Sequence, residues 1–290
     1  MANSNMKGIG FKILNLLIYS LISINLKYLS SQGIGIFQII CISSIFGFLF
    51  MNIIARKNNI NVFEYKLTKL YVLRGALNTL GLVSWVEALK LIAITDATAI
   101  SYTTPIIATV LAIIILKEKI TLKIMYALLL GFIGMIVIIK PNSVMLMSGV
   151  IIAIISSATW AVHDVLVKYQ TEKDDWIKQS YYTFLMVACF SSPFAINNWQ
   201  PVGIINILHI ALIGFLSVLN KACLIFAFTN SSLVLLAPIS FFRLLFTSIF
   251  AYLLFSEVVS IYSVMGTGLI IAATALTVVE GKKKQGLSQI

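Results

Sequence analysis

The sequence predicts an all-α integral membrane protein: ten transmembrane helices, arranged as two inverted five-helix repeats with both termini cytoplasmic. Apolar content, the placement of positive charge and an internal repeat carry that prediction. Of 290 residues, 60% are hydrophobic and 11% are charged, with a mean hydropathy of +1.00. Soluble domains carry roughly 25% charged residues, so this chain lacks the side chains to cover a soluble surface. Disorder is excluded too, because it needs low hydrophobicity and high charge.

A transmembrane helix needs about 20 mostly apolar residues to cross roughly 30 Å of hydrocarbon. Such runs occupy about 9–29, 34–54, 71–91, 95–116, 122–139, 148–169, 179–196, 204–227, 231–255 and 261–279. Barrel strands would instead alternate over about ten residues. The first run ends at Ser30-Ser31-Gln32-Gly33, a poor cleavage site, and is read as a retained helix rather than a signal peptide. The connections are short; the longest joins Ala55 to Leu70, and no extramembrane domain is expected.

The net charge of +11 comes from 21 Lys and Arg against 10 Asp and Glu. With the N-terminus cytoplasmic, the inside positions are Lys7, Lys12, Arg56, Lys57, Lys66, Lys69, Arg74, Lys117, Lys119, Lys123, Lys168, Lys173, Lys178 and Lys282 to Lys284, which makes 16. The outside positions are Lys27, Lys90 and Lys140, which makes 3, and Lys221 and Arg243 fall within spans. That asymmetry orients the chain and accounts for the basic excess without nucleic acid. Cys41, Cys189 and Cys223 lie singly within spans, so neither a disulfide framework nor a metal site is expected; small buried hydrophobes are.

The repeat has a near-constant offset. Leu26-Lys27-Tyr28 closes span one and Val167-Lys168-Tyr169 closes span six, 141 residues later. Glu118 and Glu257 close spans four and nine, 139 apart, and each of those spans holds one early proline, Pro105 or Pro238. Each is followed by paired glycines, Gly131 and Gly134, then Gly266 and Gly268. The units run over 9–139 and 147–279. Five helices per unit is an odd number, so the second unit enters from the opposite face. Inverted repeats are the architecture of many secondary transporters, with substrate near the midplane between halves. No G-x-x-x-x-G-K-[ST] appears, so ATP hydrolysis is unsupported. A membrane enzyme would need clustered His, Asp or Glu at the interface, and a channel a ring of repeated polar residues; neither pattern is present. No cofactor is implied.

Several motifs resemble the ten-helix branch of the drug/metabolite transporter superfamily, with two EamA-type domains. They are Leu73-Arg74-Gly75, Gly81, Ser84-Trp85, Ala97-Thr98, Ser101, Pro105, Gly131-Phe132-Ile133-Gly134, Asp164, Ala237-Pro238 and Glu257. The pattern covers nearly the whole chain and is most similar to rickettsial S-adenosylmethionine uptake transporters. The resemblance implies a multi-pass inner-membrane carrier moving a small zwitterionic metabolite by alternating access, with S-adenosylmethionine uptake, by exchange or otherwise, as its activity. The alternative it implies is an exporter of amino acids or drug-like amines. The partners are then a small-molecule substrate and the lipid bilayer, with a homodimer left open.

Ionisable groups inside a bilayer cost roughly 2.5–3.5 kcal/mol each on insertion scales and usually face a cavity or a partner. Arg243, at the middle of span nine, suits a substrate carboxylate held bidentately, or else an internal ion pair. Asp164 and Lys221 suit a mutual pair, a gate or direct binding; Asp164 also suits an amino or sulfonium group. Glu87 is placed either in a surface pair with Lys90 at i+3 or inward beside Trp85. Asp96 reads as the N-cap of span four, and Glu118 and Glu257 as anchors or caps of the next helix. His163 adjoins Asp164, but adjacent helical positions diverge by about 100°, so no dyad is expected. His209 sits near the outer end of span eight. Trp85, Tyr102, Trp160, Phe241 and Phe242 lie deep, suited to packing or to stacking on a planar substrate. Trp176, Tyr181, Tyr182 and Trp199 are placed in the interfacial belt. Pro105 and Pro238 are expected to kink their helices, freeing the carbonyls of Ser101 and Val234. Gly75, Gly81, Gly131, Gly134, Gly266 and Gly268 are expected at close helix approaches.

Overall fold

The computed structural model describes residues 2–60, 69–92, 97, 100–139, 147–197, 199–255 and 261–286. Ten long helices follow one another, with no strand among the described residues. They are α1 (Ala2–Ser31), α2 (Ile36–Lys57), α3 (Lys69–Leu91), α4 (Thr104–Ile115), α5 (Leu122–Ile139), α6 (Met147–Gln170), α7 (Trp176–Ile196), α8 (Ile204–Asn230), α9 (Phe242–Phe255) and α10 (Ile261–Gly286). Polarity is distributed inside out. α2 exposes Ile45, Leu49 and Ile53, and α8 exposes Ile204, Leu208 and Leu212, each set on one helix face. Asn15, Gln38, Arg74, Gln170, Gln179 and Asn220 are buried instead. Hydrocarbon as the solvent explains that reversal, because polar groups must find partners within the protein. Among the described residues, Ser4–Ser31, Ile36–Lys57, Met147–Gln170 and Ile204–Asn230 are long and apolar enough to cross a membrane, and four further apolar helices are 10–17 residues long.

α1 lies along α8, α3 along α6, α2 along α7 and α5 along α10. Secondary contacts join α1 to α9, α4 to α6, α2 to α8 and α3 to α7. Exchanging the first five helices with the last five leaves this set of pairings unchanged. Glycine sets the closest approach. A Cβ on Gly134 of α5 would lie 2.8 Å from the backbone oxygen of Gly266 on α10. Gly214 of α8 is similarly tight, 2.7 Å from the Ser43 oxygen of α2. Gly268 differs from expectation: a Cβ there meets nothing within 4 Å, because two residues past Gly266 the α10 surface has turned away from α5.

Both proline expectations change form. α4 begins at Thr104, with Pro105 in its first turn. Ahead of α9, one turn over Leu233–Leu236 is followed by a 3-10 segment, Pro238–Phe241. Each proline therefore opens a helical segment rather than kinking one, which suits a residue with fixed φ and no N–H. Pro193, by contrast, sits inside α7. Tyr181 and Tyr182 are not belt residues. They are buried where α7 meets α2 and α3, with Tyr181 4.8 Å from the Phe48 ring and Tyr182 4.8 Å from Tyr71. Trp199 is exposed, and Trp176 packs on Phe226. Cys41 and Cys223 are buried, whereas Cys189 is exposed, against the expectation for it.

Gly134→Ala should lower the midpoint of thermal unfolding in detergent, since backbone faces backbone there and overpacking costs about 1–3 kcal/mol. Gly268→Ala should leave that midpoint unchanged; equal effects would contradict the α5–α10 packing.

Candidate functional site

A cavity of about 260 Å³ lies between α1, α3, α4, α6, α8 and the broken segment leading into α9. That is an order of magnitude more than the ~10–15 Å³ one water centre needs, so it accommodates an organic solute. Arg243, Asp164, Lys221, Tyr102, Trp160, Ser101 and Pro105 all line it. So do Lys12, Asn15, Tyr19, Asn78, Asn220 and His163.

Arg243 is held by aromatics. Its guanidinium carbon is 5.0 Å from the Tyr19 ring centroid and 4.8 Å from that of Tyr102. Its Nε donates to the Tyr102 hydroxyl at 3.3 Å. The negative faces of two rings attract the cation and fix the plane of its fork. Tyr102 stacks on Phe241, 5.8 Å between centroids, and Phe241 fills the space that a side chain at Gly131 would take. A buried ring stack thus positions the arginine.

Asp164 contacts His163 through Oδ1 and Nδ1 at 3.3 Å. That corrects the expectation from helical geometry: the δ atoms of the two side chains reach each other despite the divergence of the Cβ vectors. No ion pair joins Asp164 to Lys221 among the described residues. The other correction of charge concerns Lys12. It is 6% exposed and faces the cavity, although its sequence position suggests the membrane surface. α1 begins at Ala2, well before the apolar run, which puts Lys12 roughly 15 Å along the helix at 1.5 Å per residue. Its ammonium lies 5.8 Å from the Phe228 ring centroid.

Asn15 and Asn220 lock α1 to α8. Asn15 Nδ2 donates to the Asn220 carbonyl at 3.0 Å, and Asn220 Nδ2 to the Asn15 carbonyl at 2.8 Å. Lys12 is one turn before Asn15, and Lys221 adjoins Asn220. Sequence reading passed over both asparagines, and a search for polar residues inside the apolar runs would have found them. On α6, Trp160 packs at a tilt against Trp85, 6.1 Å between centroids, and meets Gly81, where a Cβ would approach its Nε1 to 2.7 Å.

Glu87, Trp85, Phe242 and Pro238 do not line the cavity. Glu87 is in a half-exposed pair with Lys90 at 2.5 Å. Trp85 supports Trp160 from behind, and Phe242 packs edge-on against Phe246 at 5.7 Å. Pro238 is buried at the start of the 3-10 segment. Asp96 and Glu257 lie outside the described residues. Among those described, no group of three His, Cys, Asp or Glu residues is arranged to hold a metal.

The broken segment is capped from the other half. Leu233 and Val234 donate their backbone N–H groups to Glu118 Oε1 at 3.0 Å and Oε2 at 2.8 Å. Glu118 therefore caps a distant segment and not the helix after it. Ser232 accepts from Leu235 N at 3.2 Å. Lys168 donates to the carbonyls of Phe228 and Ser231 at the end of α8. These contacts satisfy backbone groups that helix ends leave open.

The EamA-like transporter family matches this chain twice, over residues 6–140 and 147–279. An S-adenosylmethionine uptake transporter of Rickettsia bellii is 25% identical over 280 residues, covering 95% of this chain and 94% of the relative. A riboflavin transporter of Brucella anthropi is 27% identical over 211 residues, covering 71% and 74%. A solved crystal structure superposes with a TM-score of 0.82 at 14% identity, covering 98% of this chain and 99% of that one, and so shares its fold.

Asn15→Ala should destabilise the protein by about 0.6–1.7 kcal/mol, the range for interhelical hydrogen bonds in membranes. Because the two amides act as a unit, Asn15→Ala/Asn220→Ala should cost less than the sum of the single changes. A double-mutant cycle in detergent measures this, and strict additivity would refute the coupling.

Proposed function

This chain belongs to the EamA-like transporter family, and on that footing we propose a secondary carrier that moves a small carboxylate-bearing metabolite across the inner membrane by alternating access. The observation that carries this reading is Arg243, a guanidinium oriented between Tyr19 and Tyr102 and facing a cavity built from both halves of the chain. A guanidinium in that setting receives a carboxylate through parallel N–H···O bonds. Trp160 offers a face for a ring on the same solute, while Tyr102, engaged by Arg243 and Phe241, holds the guanidinium. The names of the rickettsial relatives support S-adenosylmethionine as the first solute to test.

Two five-helix units of opposite topology, 9–139 and 147–279, supply the rocking elements of this mechanism. The exchange symmetry of the helix pairings supports them. Ten spans with both termini cytoplasmic are supported by the 16-to-3 division of Lys and Arg. Asp164 and Lys221 face the same cavity and serve in binding. Trp85 and Phe242 act indirectly, by holding Trp160 and the start of α9. Glu87 has no binding role in this proposal.

Proteoliposomes containing the purified protein should take up labelled S-adenosylmethionine saturably, and faster when unlabelled solute is enclosed. Arg243→Ala should lower uptake at least tenfold while inserting normally, and Arg243→Lys should recover little, because an ammonium lacks the planar fork. Unchanged kinetics in Arg243→Ala would refute its role. A reporter fused after Ile290 should be active only if it is of the type that works in the cytoplasm; the opposite result would invert the topology.

A further inference from the structure

Trp160 is the indole wall of the cavity on α6, and what α3 leaves empty sets its position. Asn78, Gly81 and Trp85 follow one another along one face of α3, at helical spacing. Asn78 lines the cavity, Trp85 packs against Trp160, and Gly81 stands between them in the chain. A Cβ on Gly81 would come to 2.7 Å from Trp160 Nε1 and 2.8 Å from its Cδ1. The backbones are pinned where room would have to be made. Ser156 Oγ donates to the Gly81 carbonyl at 2.7 Å, which ties α6 to α3 at this residue. Ser157 Oγ donates to the Ile100 carbonyl and Thr104 Oγ1 to the Ser157 carbonyl, each at 3.3 Å, which ties α6 to the start of α4. Of the described glycines at which a Cβ would lie within 3.0 Å of another residue, Gly81 is the one whose neighbour lines the cavity. The others meet backbone or packing groups, such as Phe184 at Gly47 and Met186 at Gly75.

We infer that Gly81 determines specificity: by carrying no side chain it lets the Trp160 indole lie back against α3, and so keeps clear the space for a planar ring of the solute. This rests on the carrier reading and names the residue that admits the ring. A methyl group at position 81 pushes the indole off α3. Trp85 blocks the way along α3, so the indole turns into the cavity and takes the place of the ring. Arg243 stands on α9 between Tyr19 and Tyr102, and the seat for a carboxylate stays as it was. Gly81 is thus a positioning residue that acts through Trp160.

The test compares S-adenosylmethionine with S-methylmethionine, which keeps the amino-acid end and the sulfonium and lacks the ring. Each is titrated against the full-length protein in detergent, and binding is read from the shift in the midpoint of thermal unfolding. Gly81→Ala should raise the half-saturating concentration of S-adenosylmethionine about tenfold, the scale on which pockets discriminate one methylene, and move that of S-methylmethionine by less than about twofold. Trp85→Ala opens space beside the indole and away from the cavity, so Gly81→Ala/Trp85→Ala should recover the S-adenosylmethionine binding lost in Gly81→Ala. Equal weakening of both ligands, weakening of neither, or no recovery with Trp85→Ala would overturn the inference. If Gly81→Ala does not fold, Gly81→Ala/Trp160→Ala takes its place. It should unfold at or above the midpoint of Trp160→Ala alone; a lower midpoint would put the clash elsewhere and overturn the inference. Binding of neither ligand to the unaltered protein would remove S-adenosylmethionine as the solute, and the inference with it. Unselective weakening in Gly81→Ala would remove the inference alone.

Discussion

A cation at the centre of a hydrocarbon slab costs roughly 2.5–3.5 kcal/mol on insertion scales, and α1, α8 and α9 bring three of them to one cavity. Much of the structure follows from making that arrangement tolerable. Arg243 is sheltered by ring faces and a phenol oxygen. Lys12 is buried with its ammonium over the Phe228 ring. Apolar side chains turned to the outside leave the polar ones to pair within. Without the cavity these charges would have no place in such a molecule.

The same constraint applies to the backbone. Opening a helix ahead of α9 leaves first-turn N–H groups without partners in their own helix. Both oxygens of Glu118 meet that need at Leu233 and Val234, and Lys168 meets the matching need of carbonyls at the end of α8. These partners come from the ends of α4 and α6. The break is therefore stable only while elements from both halves of the chain are assembled around it.

The helices were legible in the sequence because apolar runs and their length state directly what hydrocarbon requires. The repeat was legible because Pro105 and Pro238, and Glu118 and Glu257, recur at nearly one offset. Lys12 was not, since its depth depends on where α1 begins, and that start lies in polar residues ahead of the apolar run. Tyr181 and Tyr182 have the composition of a belt, and only the packing of α7 on α2 and α3 puts them inside. The His163–Asp164 contact is set by side-chain reach, which spacing along a helix does not encode. Glu87 shares a helix with the cavity residue Asn78 but lies on its opposite face, and Trp85, on the same face, lies two turns further along.

The reciprocal amide bonds of Asn15 and Asn220 have one more consequence. They pin the α1 and α8 backbones at the point from which Lys12 and Lys221 project, so the anchor points of the two ammoniums keep a fixed separation. Arg243 is anchored independently, at the start of α9 and against Tyr19 and Tyr102, beside the segment that Glu118 caps. The separation between Arg243 and the two lysine anchor points therefore changes only when α9 and the segment before it move relative to the α1–α8 pair.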